Sequence, residues 1–145
     1  MKKLKRSTKV MFWILNIFFL ILLCQFFLPQ FRRIFWGSNL FLIPVLIFSS
    51  AGLALLILSL KEKAKNRLVI FFIVSGASAF SFFVFIILHN LLYALSIVTK
   101  NIFLLNYFVE GLQITFFLGA IFVCPTAFLI GSISSIVLLC RTIKR

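Results

Sequence analysis

The sequence predicts an all-α integral membrane protein, an up-down bundle of four transmembrane helices. Hydrophobic residues make up 63% of the 145-residue chain and charged residues only 12%. A soluble domain of this size has too little interior to hide so much apolar surface, so we expect lipid to solvate most of it. Each of four apolar runs is long enough, at about 1.5 Å per helical residue, to cross a bilayer core of about 30 Å. The runs cover residues 10–28, 40–60, 68–92 and 112–140.

The fifteen lysines and arginines are distributed unevenly among the segments that flank these runs. Twelve fall in the N-terminal segment 1–9, the loop 61–67 and the C-terminal segment 141–145, whereas three fall in the other two loops. The positive-inside rule therefore predicts a cell (plasma) membrane protein with both termini in the cytoplasm. Despite the net charge of +13, we expect these basic ends to contact anionic lipid headgroups and not nucleic acid.

The first two runs are predicted to form retained membrane helices. The run 10–28 follows a basic segment, as in a signal peptide, but the small residues that cleavage requires do not follow it. The run 40–60 is preceded by the capping residues Ser38 and Asn39, and Pro44 is tolerated in its first turns. Small residues occupy the middle of this second run, where a neighbouring helix can approach closely.

The third run, 68–92, contains the richest cluster of small residues, and the short loop 61–67 before it predicts a tight hairpin with the second run. Its small residues are predicted to form a helix-packing surface. The neighbouring phenylalanines, Phe72 among them, are expected mostly to face lipid. The predicted packing residues here are Ser75, Gly76, Ser78 and Ala79.

The fourth run, 112–140, carries small residues at intervals of four, which predicts a second packing stripe that winds around the helix. Pro125 removes one backbone N–H from the middle of this helix and predicts a kink. The run is long enough that the helix must tilt, bend or protrude from the bilayer. The ladder is Gly111, Thr115, Gly119, Val123, Ala127, Gly131 and Ser135, and we expect packing through Gly119, Ala127, Gly131 and Ser135.

Polar side chains are concentrated at the predicted outer ends of the helices and form a candidate outer polar cluster. Two interpretations remain open. A paired His89 and Glu110 would form a proton-sensitive or cation-accepting site at the mouth of the bundle. Alternatively, these residues terminate apolar spans and are simply hydrated. The cluster comprises His89, Asn90, Tyr93, Glu110 and Gln113.

Catalytic and metal-binding patterns are missing from the sequence. One histidine and two acidic residues are too few for a usual metal site, and the chain has no glycine-rich phosphate motif. Cys24, Cys124 and Cys140 are scattered singly, without the spacing of a zinc, redox or haem motif. We therefore expect a protein that is not an enzyme and that has no cofactor and no metal.

The segments Gly76–Phe80 and Leu88–Leu95 resemble small uncharacterised prokaryotic four-span integral membrane proteins. The resemblance covers the third run and its outer end, and it implies no activity. From the small-residue stripes we expect a non-enzymatic structural or accessory protein that acts through helix–helix contacts, either as a homo-oligomer or in a larger membrane complex. The alternative is a small channel or transporter subunit with an outer-face polar site.

Overall fold

The computed structural model describes residues 5–30, 42–62 and 66–143, and the predicted caps Ser38 and Asn39 lie outside these ranges. The described chain is all-α, and four helical segments in it are long and apolar enough to span a membrane. The first three are α1 (Arg6–Phe27), α2 (Leu42–Leu60) and α3 (Arg67–Val98). The fourth is continuous and consists of α4 (Phe103–Leu118), a π-helical segment (Gly119–Val123) and α5 (Cys124–Ile143).

Several helices extend beyond the apolar runs that mark them in the sequence. The helix α1 begins within the basic segment, α3 continues past residue 92 to Val98, and the fourth segment begins at Phe103 and not at residue 112. The residues added to α3 and α4, 93–98 and 103–111, are themselves mostly apolar, so the predicted runs are too short there. Asn106 and Glu110, which are hydrogen bonded one turn apart at 2.8 Å, support the added turns of α4.

The helix α3 is central to the arrangement because it packs against α2, α4, the π segment and α5, while α1 packs against α2. At the α2–α3 contact the two backbones approach closely. A Cβ atom added to Gly52 would lie 2.7 Å from Ala79 Cβ, and one added to Gly76 would lie 2.8 Å from the Gly52 carbonyl oxygen. The Ser49 hydroxyl also donates a 3.2 Å hydrogen bond to the Ala79 carbonyl. Small side chains are therefore a steric requirement of this interface.

The small residues of α5 pack against the same central helix. A Cβ atom added to Gly131 would lie 2.6 Å from Ser75 Oγ. The predicted ladder is nevertheless not one continuous interface, because Gly111, Thr115 and Val123 are exposed. Of the residues predicted to pack, Ala127 is half-buried and the others are buried, namely Ser75, Gly76, Ser78, Ala79, Gly119, Gly131 and Ser135.

Phenylalanines fill the space between helices, and the expectation that Phe72 faces lipid is wrong. Phe72 is fully buried and stacks on Phe12 of α1 with ring centroids 4.7 Å apart. Further along the bundle, Phe128 of α5 lies 4.5 Å from Phe19 and 5.3 Å from Phe48, measured between ring centroids. These large rings bridge α1 and α2 to α5, a distance that small side chains would not span.

The π segment accounts for the disturbance that Pro125 is predicted to cause. Proline lacks a backbone N–H, so an α-helix through Pro125 would leave a carbonyl one turn earlier without its donor. The chain instead widens its turn, and the Cys124 N–H binds the Gly119 carbonyl, five residues back. Pro125 follows directly after this widened turn, as the second residue of α5 in the continuous segment.

Candidate functional site: an apolar cavity beside His89

His89 is a member of the predicted outer polar cluster whose side chain contacts a neighbouring helix. Its side chain is half-buried, and its ring lies 5.1 Å from the ring of Phe117 on α4. Its Nδ1 atom lies 3.1 Å from the backbone carbonyl oxygen of Gln113. A carbonyl oxygen can only accept, so Nδ1 carries the proton and Nε2 is an acceptor when the imidazole is neutral.

The remaining members of the cluster do not converge on His89. Asn90 is exposed and donates to the Ile86 carbonyl of its own helix. Tyr93 is 55% exposed. Glu110 is exposed and accepts a hydrogen bond from the Asn106 side chain. The structure thus gives His89 and Glu110 different partners, and it brings together only His89 and the backbone of Gln113.

A cavity of about 680 Å³ lies next to His89, lined by α1, α3 and the fourth helical segment and by Phe48 of α2. Phenylalanine is its commonest lining residue. Among the residues that the structure describes, no lysine, arginine, aspartate or glutamate lines it, and the polar lining side chains are Ser78, His89 and Cys124. The Ser78 hydroxyl is already used, because it donates to the Val74 carbonyl at 2.7 Å. His89 therefore supplies the main polar group of an otherwise apolar cavity, which is partly open because Phe26 and Phe27 in its lining are 50% and 78% exposed.

The fourth helical segment shapes one wall of this cavity through its irregular turn. Ala120 and Ile121 of the π segment line the cavity, together with Cys124 and Pro125 at the start of α5. Such π segments are rare and are often found at functional sites. Gly119, the first residue of the segment, packs against the Phe85 ring. A Cβ atom added there would lie 2.7 Å from that ring, so the position has no room for a larger side chain unless Phe85 moves.

The cavity could not be predicted from the sequence, although His89 could be identified there as a candidate residue. A cavity depends on where rings from distant helices meet, and hydropathy measures only the average polarity of each run. The two local signals are Pro125 and the ionisable His89 within a long apolar run. The three cysteines lie apart, half-buried, buried and exposed in turn, and the described residues contain no group of three His, Cys, Asp or Glu side chains that fits a metal ion.

Comparisons with known proteins do not assign this arrangement to a family. No protein-family model, curated protein or solved structure matches the chain. Four apolar helices are compatible with a small membrane protein.

Proposed function

We propose that this chain is a non-enzymatic accessory protein of a prokaryotic cell membrane, which acts through contacts that its helices make within the bilayer. The main support is the outer surface of the helices. Large apolar side chains are exposed along all four segments, for example Leu20 (60%), Ile57 (44%), Ile70 (57%) and Ile133 (59%). Exposure on this scale is unfavourable in water, and lipid or neighbouring membrane helices would cover it.

The proposed topology is an up-down bundle with both termini in the cytoplasm. It is supported by the basic residues, of which twelve fall on one side and three on the other. Contacts between helices fit the same alternation, since Gly52 of α2 meets Ala79 of α3, and Gly131 of α5 meets Ser75 of α3. The basic ends would rest on anionic headgroups at the cytoplasmic face.

Cysteine labelling in intact cells tests the orientation. In a background without the native Cys24, Cys124 and Cys140, Lys100→Cys should react with a membrane-impermeant maleimide, and Lys61→Cys should react only after lysis. Both positions are exposed, so a difference in labelling reports sidedness and not burial. Labelling of Lys61→Cys from outside would show that the orientation is the opposite of the proposed one.

Photo-crosslinking in native membranes tests the accessory role. A photoreactive amino acid at Ile57 or Ile133 should form protein adducts, whose mass separates a homo-oligomer from a larger complex. The same amino acid at the buried Leu55 should crosslink only within the chain. Lipid adducts alone at every exposed position would contradict a role based on helix contacts.

A channel or transporter subunit is the competing function, and the hydrogen-bond pattern does not favour it. Asn90 and Glu110 bond within their own helices, and the cavity wall is apolar, which is unsuited to a hydrated ion. Purified protein in liposomes should therefore carry no proton or cation flux above that of empty liposomes. Measurable flux would support the transporter alternative.

A further inference from the structure

The geometry points to a binding site for a long-chain carboxylic acid in the cavity of about 680 Å³, with the acid group at His89 and the hydrocarbon tail directed toward Ser78. This inference rests on the proposed membrane location, because such a ligand would enter from the bilayer. It goes further by assigning the cavity an occupant and His89 a role in recognising it.

The size and lining of the cavity fit a hydrocarbon tail. Its volume falls within the range of about 300–1,000 Å³ that is typical of small-molecule sites. Ser78 and His89 both line it and lie eleven positions apart on α3, so it extends over about 16 Å of helix. Phe48 lines it with its ring centroid 6.4 Å from that of Phe82, one turn after Ser78, and Phe117 lines it 5.1 Å from the ring of His89. The partly open cavity is therefore elongated and apolar, with its main polar group near one end.

The hydrogen bond to Gln113 determines which head group suits His89. Because Nδ1–H is committed to the Gln113 carbonyl, a neutral imidazole offers only the Nε2 lone pair. Such a group accepts a hydrogen bond from an acid or alcohol, but it gives nothing to a quinone or an ester, which only accept. Head groups that lack a donor are therefore disfavoured.

A carboxylic acid uses this nitrogen better than an alcohol does. The acid proton can move to Nε2, leaving an imidazolium and a carboxylate joined by a charge-assisted hydrogen bond, while Nδ1–H still binds Gln113. No acidic side chain lines the cavity among the described residues, so nothing there repels the carboxylate. An alcohol is too weak an acid for this transfer.

The irregular wall is a second feature that fits a ligand site. The π segment places Ala120 and Ile121 in the lining of the cavity. A regular helix would place its residues at a different rotation after Gly119. The widened turn is thus directly connected with the space that a tail would fill.

A photoreactive fatty acid provides the test. The full chain in phosphatidylcholine nanodiscs would be irradiated with a long-chain acid that carries a diazirine at its tail end, and adducts would be mapped by mass spectrometry. We expect insertion near Ser78 and Phe128, and competition by unlabelled acid but not by its methyl ester. Insertion spread over lipid-facing residues such as Ile57 and Ile133 would overturn the proposal.

Two sets of variants test the space for the hydrocarbon tail and the recognition of the acid group separately. Ile121→Trp, at a 46% exposed position in the lining, should narrow the cavity and reduce labelling at least about tenfold, whereas Phe122→Trp, at the neighbouring exposed position outside the lining, should not. His89→Phe keeps an aromatic ring beside Phe117 and should weaken binding of the acid by about tenfold, the equivalent of one hydrogen bond to a charged group. His89→Gln, whose amide can both donate and accept, should restore part of that loss.

Two results would overturn the proposal while leaving the topology intact. Equal labelling by a phosphatidylcholine with the same diazirine in its tail would show that any lipid chain fills the cavity and that His89 selects nothing. Equal binding of acid and methyl ester would likewise show that His89 does not recognise the acid group. Labelling of Lys61→Cys from outside would instead contradict the proposed orientation and would leave the binding site untouched. The two proposals can therefore fail separately.

Discussion

The hydroxyl of Thr8 donates a 2.8 Å hydrogen bond to the carboxylate of Glu62, which joins the first turns of α1 to the segment after α2. The same carboxylate oxygen accepts the backbone N–H of Lys5 at 3.1 Å. Lys5 is the N-cap residue of α1 and makes no side-chain cap of its own. Glu62, which follows the end of α2, therefore caps the N-terminus of α1. It supplies both a hydrogen-bond acceptor and the negative charge that a helix N-terminus favours.

Removing the Thr8 hydroxyl should destabilise the protein. Thr8 is fully buried, so Thr8→Val conserves its shape but leaves Glu62 with one donor fewer, at a cost of about 1 kcal/mol in the free energy of unfolding. Thr115→Val is the matched control, because Thr115 is exposed and bonds only within its helix. Unfolding in mixed micelles would be measured for both, and for Glu62→Ala alone and combined with Thr8→Val. The double mutant should lose less stability than the sum of the two single mutants, because both remove the same hydrogen bond. Fully additive losses would show that Thr8 and Glu62 do not interact.

Glycine-to-alanine substitutions should have opposite effects at two positions of the fourth helical segment. Gly131→Ala places a Cβ atom 2.6 Å from Ser75 Oγ and 3.0 Å from the Ser75 backbone nitrogen, so α3 and α5 must separate, at a cost of about 1–3 kcal/mol. Gly111→Ala meets nothing within 4 Å and should be neutral or stabilising by up to about 1 kcal/mol. Thermal unfolding in detergent would compare them. Equal behaviour would show that close approach at Gly131 is unimportant.

The elements predicted from sequence are those that depend on the average polarity of long segments. Four helices long and apolar enough to span a membrane follow from hydropathy alone, and the close approach of Gly131 to Ser75 is in keeping with the small size and spacing of Gly131. The helix ends differ from the predicted bounds, because α3 continues past residue 92 through the mostly apolar residues 93–98 to Val98. The end of a helix depends on its backbone hydrogen bonds, and an apolar residue can lie either inside a helix or in the loop beyond it.

Features that depend on side chains from several helices could not be predicted. Phe72 and the exposed Phe122 have identical hydropathy, yet one is fully buried against Phe12 and the other is 63% exposed. Direction around a helix is weakly encoded when every face is apolar. The cap that Glu62 provides for α1 is likewise invisible in sequence, because its partners lie more than fifty residues away.

The two phenylalanines should therefore respond differently to the same substitution. Phe72→Leu removes the stack on Phe12, worth about 0.5–1.5 kcal/mol, and leaves unfilled space in addition. Phe122→Leu exchanges one exposed apolar group for another and should change the unfolding free energy by less than about 0.5 kcal/mol. Denaturation in detergent micelles would measure both. A silent Phe72→Leu would place that ring outside the core.

His89 and Glu110 should behave as independent residues. His89 bonds to the Gln113 carbonyl and Glu110 to the Asn106 side chain, so the two share no partner in the described chain. His89→Phe should cost about 1 kcal/mol of unfolding free energy, and the exposed Glu110→Ala less than about 0.5 kcal/mol. Their double mutant should equal the sum within about 0.5 kcal/mol. Asn106→Ala gives the positive comparison, because combined with Glu110→Ala it should cost less than the sum of the two single changes. A coupling of about 1 kcal/mol between His89 and Glu110 would instead restore the paired proton-sensitive site and contradict the separate hydrogen bonds.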